Sequence, residues 1–215
     1  MTSYLGAQGE FVRETVIRKS RFITRIIGVE SEEDAVAAIA AVRKKHSDAT
    51  HSCYAYIADE TGLCQRFSDD GEPSGTAGLP MLEVLKKFGV GKTLAVVTRY
   101  FGGVKLGASG LVGAYSGCVA DALKEAGLKR FVESALGTAV CPYPQAETVA
   151  RAIAKAGGEV VGIEYSDEVT TRFAIPLTAR AALDTSMQAL TSKNVRITYT
   201  GTEFFGYDNT KTITL

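Results

Sequence analysis

Apolar and polar positions alternate through residues 10–29, "EFVRETVIRKSRFITRIIGV", a stretch rich in β-branched residues. A period of two in such residues predicts one bent strand or two paired ones. The period changes at "SEEDAVAAIAAVRKKH" (31–46). Ser31 stands where a helix cap belongs, acids fill the first turn and cations the last, as the helix macrodipole favours. Val36, Ile39 and Ala40 form the expected buried stripe. Strand character returns in "SCYAYIA" (52–58), with "LCQRF" (63–67) as its hairpin partner across "DETG". "LPMLEVLKKFG" (79–89) reads as a short helix ended by Gly89. "TLAVVTRYF" (93–101) is almost wholly β-forming and reads as a buried central strand. "SGLVGAYSGCVADALKEAG" (109–127) is a helix closed by Gly127.

Beyond about residue 134 the order of elements changes. "LGTAV" (136–140) begins a strand, and "YPQAETVARAIAKAGG" (143–158) reads as a helix. "EVVGIEYS" (159–166) and "EVTTRFAIPL" (168–177) make a hairpin. "TARAALDTSMQALTSKN" (178–194) is a helix with Ala182, Met187 and Leu190 inward, and "VRITYTGTEFF" (195–205) is the last strand. This is βαββαβ, a ferredoxin-like unit. The expectation is an α+β chain of two domains, residues 1–134 and 135–215.

Composition narrows the classes. With 215 residues, 46% of them hydrophobic, the chain can bury a real core. No apolar run reaches about 18 residues, so no membrane span is expected. "MTSYLGAQGEF" lacks the basic and then apolar pattern of a signal peptide. Cys53, Cys64, Cys118 and Cys141 are scattered without zinc-type spacing, and read as thiols in a reducing cytoplasm. The 24 basic residues balance 24 acidic ones, so binding of nucleic acid would need a local patch.

Chemistry concentrates in two stretches. "GVGKT" (89–93) imitates a phosphate-binding loop, but Lys86 occupies the position where that motif needs glycine. "TRYFGGVKLGASGLVGAYSG" (98–117) is stronger: a strand ends near Phe101, and Gly102, Gly103 and Gly107 lead into a helix starting around Ser109. Free N–H groups at a helix N-terminus favour an anion. Arg99 and Lys105 flank that end, completing a candidate phosphate or carboxylate cradle. Gly110, Gly113 and Gly117 lie on one side of the helix, and interior glycine costs roughly 1 kcal/mol relative to alanine. The favoured explanation is structural, a bare face that a strand or helix backbone approaches closely; a ligand lying there is the alternative.

The second stretch is "RFSDDGEPSGTAGLP" (66–80). Asp69, Asp70 and Glu72 are candidate oxygen ligands for a divalent cation such as Mg²⁺. Ser74 and Thr76 are candidate donors to an oxyanion. The bland alternative is a rigid turn whose acids are solvated or cap the next helix. His51 opens a strand as a candidate base or RNA contact, whereas His46 sits at a helix C-terminus in a structural position.

"KSRF" (19–22), "ATHSCYAY" (49–56), "FSDDGEPSGTAGLPML" (67–82) and "VTRYFGGVKLGASGLVGAYS" (97–116) together resemble the YigZ/IMPACT family. The resemblance implies an N-terminal α/β sandwich domain like that of a ribosomal protein and RNase PH. It also implies a C-terminal domain like the last domain of elongation factor G. That pairing of folds implies an RNA or ribosome partner; eukaryotic relatives act in translational control through a protein partner that is not carried over here, and some other protein partner is the alternative. The family motifs fall on Arg21, His51, Tyr54, Asp69, Asp70, Glu72, Ser74, Thr76, Arg99, Tyr100, Lys105 and Ser109. The leading expectation is a cytoplasmic binding protein, with Arg21, Arg99 and Lys105 on phosphates and Tyr54, Tyr100 and Phe101 stacking on bases. The alternative is a metal-dependent enzyme acting on a phosphate-bearing, nucleotide-like substrate. The acidic loop and the Arg99–Lys105 loop are expected to meet at one surface cleft.

Overall fold

The computed structural model describes residues 3–190 and 194–207. The chain is mixed α/β and divides into two compact units, Ser3–Arg130 and a second that begins at Phe131. The first unit opens with β1 (Ser3–Gly6), β2 (Glu10–Ile17) and β3 (Ser20–Gly28). The stretch at 10–29 is thus two paired strands. Ile17 faces Ser20, and Arg18 and Lys19 make a two-residue turn, both at positive φ (44° and 66°). That backbone matches the right-handed twist of the flanking strands and is usually left to Asn and Gly.

Then come α1 (Glu32–Lys45), β4 (His51–Ile57), β5 (Gln65–Ser68), α2 (Gly78–Phe88), β6 (Thr93–Tyr100) and α3 (Ala108–Ala126). The sheet runs β2-β3-β6-β4-β5 with every pair antiparallel. Both faces are covered. Phe22, Cys53, Ala55, Ala95 and Val97 pack under Met81 and Leu85 of α2 and under Leu111 and Tyr115 of α3. Tyr56, Leu94 and Val96 pack on the opposite face under Ala35, Ile39 and Val42 of α1. Double coverage explains why the central strand β6 is apolar at consecutive positions instead of alternating.

Two expectations are corrected here. In α1 the inward stripe is Ala35, Ile39 and Val42, while Val36 is 54% exposed and Ala40 is also exposed. Steps of four and three from Ala35 stay on the sheet side; Val36 lies a further 100° round. The glycines of α3 also behave differently. A Cβ added at Gly113 or Gly117 would meet nothing within 4 Å, so no backbone of this unit uses the bare face.

The second unit continues β7 (Lys129–Cys141) into α4 (Ala146–Lys155), β8 (Glu159–Tyr165), β9 (Val169–Pro176), α5 (Arg180–Gln188) and β10 (Arg196–Tyr207). Its strand order is β8-β9-β7-β10, with β7–β9 and β8–β9 antiparallel. The core joins Ala139 and Phe173 of the sheet to Val149 and Ile153 of α4 and to Leu183 and Met187 of α5. Leu183 replaces Ala182 as the inward residue of α5, because the four-residue step from Met187 leads there and Ala182 is exposed. Leu190 packs partly on the same core; of the helix expected to run to 194, residues 191–193 lie outside the described residues. Among the described residues, no helix is long and apolar enough to cross a membrane.

Leu183→Ala should lower unfolding free energy by about 2–5 kcal/mol, the range for emptying a packed aliphatic site. Ala182→Gln should change it by less than about 0.5 kcal/mol, as exposed substitutions do. Urea titration of both variants checks the facing of α5.

Candidate functional site

The acidic loop is built around Asp69. Its Oδ1 accepts from the backbone N–H of Ala77 (3.0 Å) and Gly78 (2.8 Å), and its Oδ2 from Gly75 (2.9 Å). Ala77, at the cap position of α2, makes no side-chain capping bond. Asp69 therefore supplies from outside the helix the acceptor and the negative charge that an N-terminus favours. Its carbonyl also accepts from Glu72 N (2.9 Å) and from the Cys53 thiol (2.9 Å).

Asp70 fastens the loop to β4. Its Oδ2 accepts from Ser52 N (2.6 Å), its Oδ1 is paired with Arg43, and its carbonyl accepts from His51 Nδ1 (2.8 Å). That last bond places a proton on Nδ1 of His51. Asp70 holds a φ of 43° and Gly71 one of 84°, which turns the chain inward at the next residue.

Glu72 is the inward residue, only 8% exposed. Its Oε1 accepts from Arg99 Nη1 and from the Tyr115 hydroxyl, each at 2.7 Å. Its Oε2 lies 3.8 Å from His51 Nε2. Arg99, 5% exposed, also donates to Ser20 Oγ (3.2 Å), and its guanidinium lies 5.5 Å from the ring centres of Phe22 and Phe101. Its Nε has no partner among the described residues. Burial, followed by the nearby Cys53 and Glu72, drives the Tyr115 phenol far above its ordinary pKa. Burial likewise raises the Cys53 thiol to about 12. Both are therefore neutral near pH 7, and Tyr115 is a permanent donor to Glu72.

The two signature loops do meet, through Glu72 and Arg99. The meeting is interior, so Arg99 serves as a buried counter-ion where a ligand-facing cation was expected. Other expected residues are split by the sheet. Phe22, His51 and Arg99 are cross-strand partners on the α2/α3 face, and neighbouring strand positions point the opposite way. Tyr100 and Tyr54 accordingly lie on the α1 face. Arg21 stacks over the Tyr100 ring at 5.4 Å and pairs with Glu14 at 2.8 Å. The Tyr100 hydroxyl donates to Asp48 Oδ1 and meets His46 Nδ1, both at 3.0 Å. Burial and the adjacent Arg25 hold His46 below its ordinary pKa, which keeps the ring neutral. The Tyr54 ring is stacked on Tyr56 and lies under Arg43.

Thr76 is buried and donates to the carbonyl of Pro73 (2.6 Å), closing the loop on itself. Ser74, Lys105 and Ser109 are exposed. Gly102 sits so close to the β2–β3 turn that a Cβ would fall 1.9 Å from the carbonyl oxygen of Lys19. The Gly102 N–H also donates to Ser20 Oγ (3.3 Å). The turn bearing Arg18 and Lys19 is thereby held against the loop bearing Lys105. All three cations are exposed and make no ion pair among the described residues. The helix cap, Gly107 (φ 80°), offers α3 no side-chain acceptor.

The three acids do not fit a magnesium site. Asp69 is held by three backbone donors, Asp70 by Arg43 and Ser52, and Glu72 is neutralised by Arg99. Among the described residues no three His, Cys, Asp or Glu side chains converge as metal ligands. Sequence reasoning missed Tyr115, Ser20 and Arg43. Tyr115 carried a readable signal, since a phenol on the inward face of α3 needs a buried partner. Arg43 read only as a cation suiting a helix end.

An antiparallel sheet with helices on both faces, joined to a second α/β unit, and two motif loops locked by an internal ion pair define the class. Residues 18–123 match the Impact N-terminal domain, and residues 140–192 match a domain of unknown function, DUF1949. The chain is 41% identical to the IMPACT family member YigZ of Escherichia coli over 74% of this chain and 79% of that one. It is 50% identical to the IMPACT family member YvyE of Bacillus subtilis over 59% of this chain, and the match spans 58% of the Bacillus protein. A solved structure titled as the crystal structure of a hypothetical protein is 34% identical, with a TM-score of 0.61, covering 94% of this chain and 98% of that one. The chain belongs to the IMPACT family.

Glu72→Ala should cost about 3–5 kcal/mol, because it strands a buried guanidinium. Glu72→Leu/Arg99→Leu should cost less than the sum of the single variants in a double-mutant denaturation cycle. Native alkylation at pH 8 should spare buried Cys53, Cys118 and Cys141 and label half-exposed Cys64 slowly, since burial raises all four thiol pKa values. Peptide mapping before and after denaturation reads this out.

Proposed function

We propose that this protein is a cytoplasmic binding protein acting in translation or its regulation, through contact with RNA or the ribosome. The carrying observation is the unpaired basic cluster at one end of the first sheet. Arg18 and Lys19 are held against Gly102, and the same loop carries Lys105 into the uncapped N-terminus of α3. Phe101, 46% exposed immediately before Gly102, offers a stacking platform beside those cations. Phosphates would meet Lys19, Lys105 and the free N–H groups around Ser109. Arg99 contributes from below by fixing the loop. The balanced net charge favours a local contact over general adhesion to nucleic acid.

Family membership supports the translational setting. The order β8-β9-β7-β10 supports a ferredoxin-like reading of the second unit. A metal-assisted enzyme would need free carboxylates in the 69–72 loop, and these are engaged.

The test is binding to ribosomes, subunits and a labelled RNA pool across a salt series, comparing wild type with Lys19→Ala/Lys105→Ala. Both positions are exposed, so folding should be unchanged. On single-stranded RNA, losing two phosphate contacts should make the log–log salt slope shallower by about 1.4. Absence of binding at low salt would remove this reading.

A further inference from the structure

The contacts of His46 leave its ring no place for a second proton. Its Nε2 lies 3.3 Å from Nη2 of Arg25 on β3. A guanidinium only donates, so Nε2 is the accepting nitrogen. Nδ1 then carries the ring's one proton and donates to the Tyr100 hydroxyl of β6 at 3.0 Å, whose own hydrogen goes to Asp48 Oδ1 at 3.0 Å. Arg25, His46, Tyr100 and Asp48 thus form one directed chain of donors, complete only while the imidazole is neutral. The setting runs against the rule for helix ends. His46 caps α1, its N–H donating to the Val42 carbonyl (3.0 Å), where the macrodipole favours a cation. Yet Arg25 and Arg21 of β3 and Lys45 of α1 all act on the ring as cations, with Asp48 of the turn as the opposing acid. Glu10 of β2 is engaged on the far side of Arg25, which is only 6% exposed.

The turn after α1 links this ring to the end of β6. The Ala49 N–H donates to the His46 carbonyl and the Thr50 N–H to the Arg99 carbonyl, both at 3.0 Å. Thr50 Oγ1 in turn accepts from the Phe101 N–H at 3.1 Å. We propose that His46 is an acid-released latch: neutral, it ties the end of α1 to β3 and β6, and protonated, it parts from Arg25 and loosens the 46–50 turn together with the end of β6 at Phe101. Protonation sets an N–H against the N–H of Arg25 and brings a second positive charge beside a buried first. Burial, then Arg25, hold the ring below its ordinary pKa. The stability the neutral ring contributes is therefore complete above the ordinary histidine value of about 6.5 and is lost as pH falls below it.

Nuclear magnetic resonance on the whole chain tests this, since only two imidazoles are present. Nitrogen shifts near neutral pH should place the His46 proton on Nδ1, and the ring should titrate below about 6.5. Between about pH 7.5 and about pH 5, exchange protection of the Thr50 and Phe101 amides, corrected for intrinsic rates, should fall severalfold relative to amides of β9. His46→Asn keeps a side-chain N–H for Tyr100 and cannot titrate, so it should lose that acid-dependent fall and identify the His46 signal. A proton on Nε2, a His46 midpoint at or above about 6.5, or protection unchanged by acid overturns the proposal. An equal fall in His46→Asn also overturns it. The wild-type tautomer and midpoint decide even where the variant folds poorly, with His51→Gln then assigning the signals.

Discussion

Glu72 and Arg99 meet at 2.7 Å inside the first unit, and the rest of the site is arranged around that contact. Neither charge is tolerable there alone. A buried carboxylate needs a cation and donors, and Arg99 and Tyr115 supply both. Each partner comes from a different element: a loop, the central strand and a helix. The pair therefore pins the 69–78 loop to β6 and to α3 at once. Ser20 extends the network to the β2–β3 turn, since its hydroxyl takes bonds from both Arg99 and the Gly102 N–H.

This internal use of charge changes what the motif residues mean. Asp69 and Asp70 are occupied in folding a loop whose backbone would otherwise leave donors unpaired. The loop is thus held by carboxylate–amide bonds beside its prolines. Under the proposed function, the groups left for RNA are those outside the network: Arg18, Lys19, Lys105, Phe101 and the first turn of α3.

The glycines follow the same division between inside and outside. Gly102 is required internally, since a side chain there would collide with the Lys19 carbonyl. Gly113 and Gly117 have no internal reason to be glycine. The same residue type in one motif thus serves a backbone contact at one end and an open surface at the other.

The element order was legible in the sequence because it rests on local rules: periodicity, caps and glycine stops. Ser31 caps α1, and Gly89 and Gly127 end their helices in the left-handed conformation as read. In α1 Val36 and Ala40 were read as inward in place of Ala35 and Val42, and in α5 Ala182 in place of Leu183, while Ile39 and Met187 were read correctly; alanines carry too little hydrophobic signal to fix the remaining positions. The residue types of the site were legible as well; that its two signature segments meet, and that they do so in the interior through Glu72 and Arg99, was not. Which way each side chain points was a tertiary matter. His51 and Arg99 face α2 and α3, while Tyr54 and Tyr100 face α1, because successive strand residues point to opposite sides and only the paired sheet says what covers each side. The sequence by itself determined where charge and flexibility lie along the chain. Tertiary structure alone decided which charges cancel in the interior and which stay free, since that depends on contacts between residues as far apart as Ser20, Glu72, Arg99 and Tyr115.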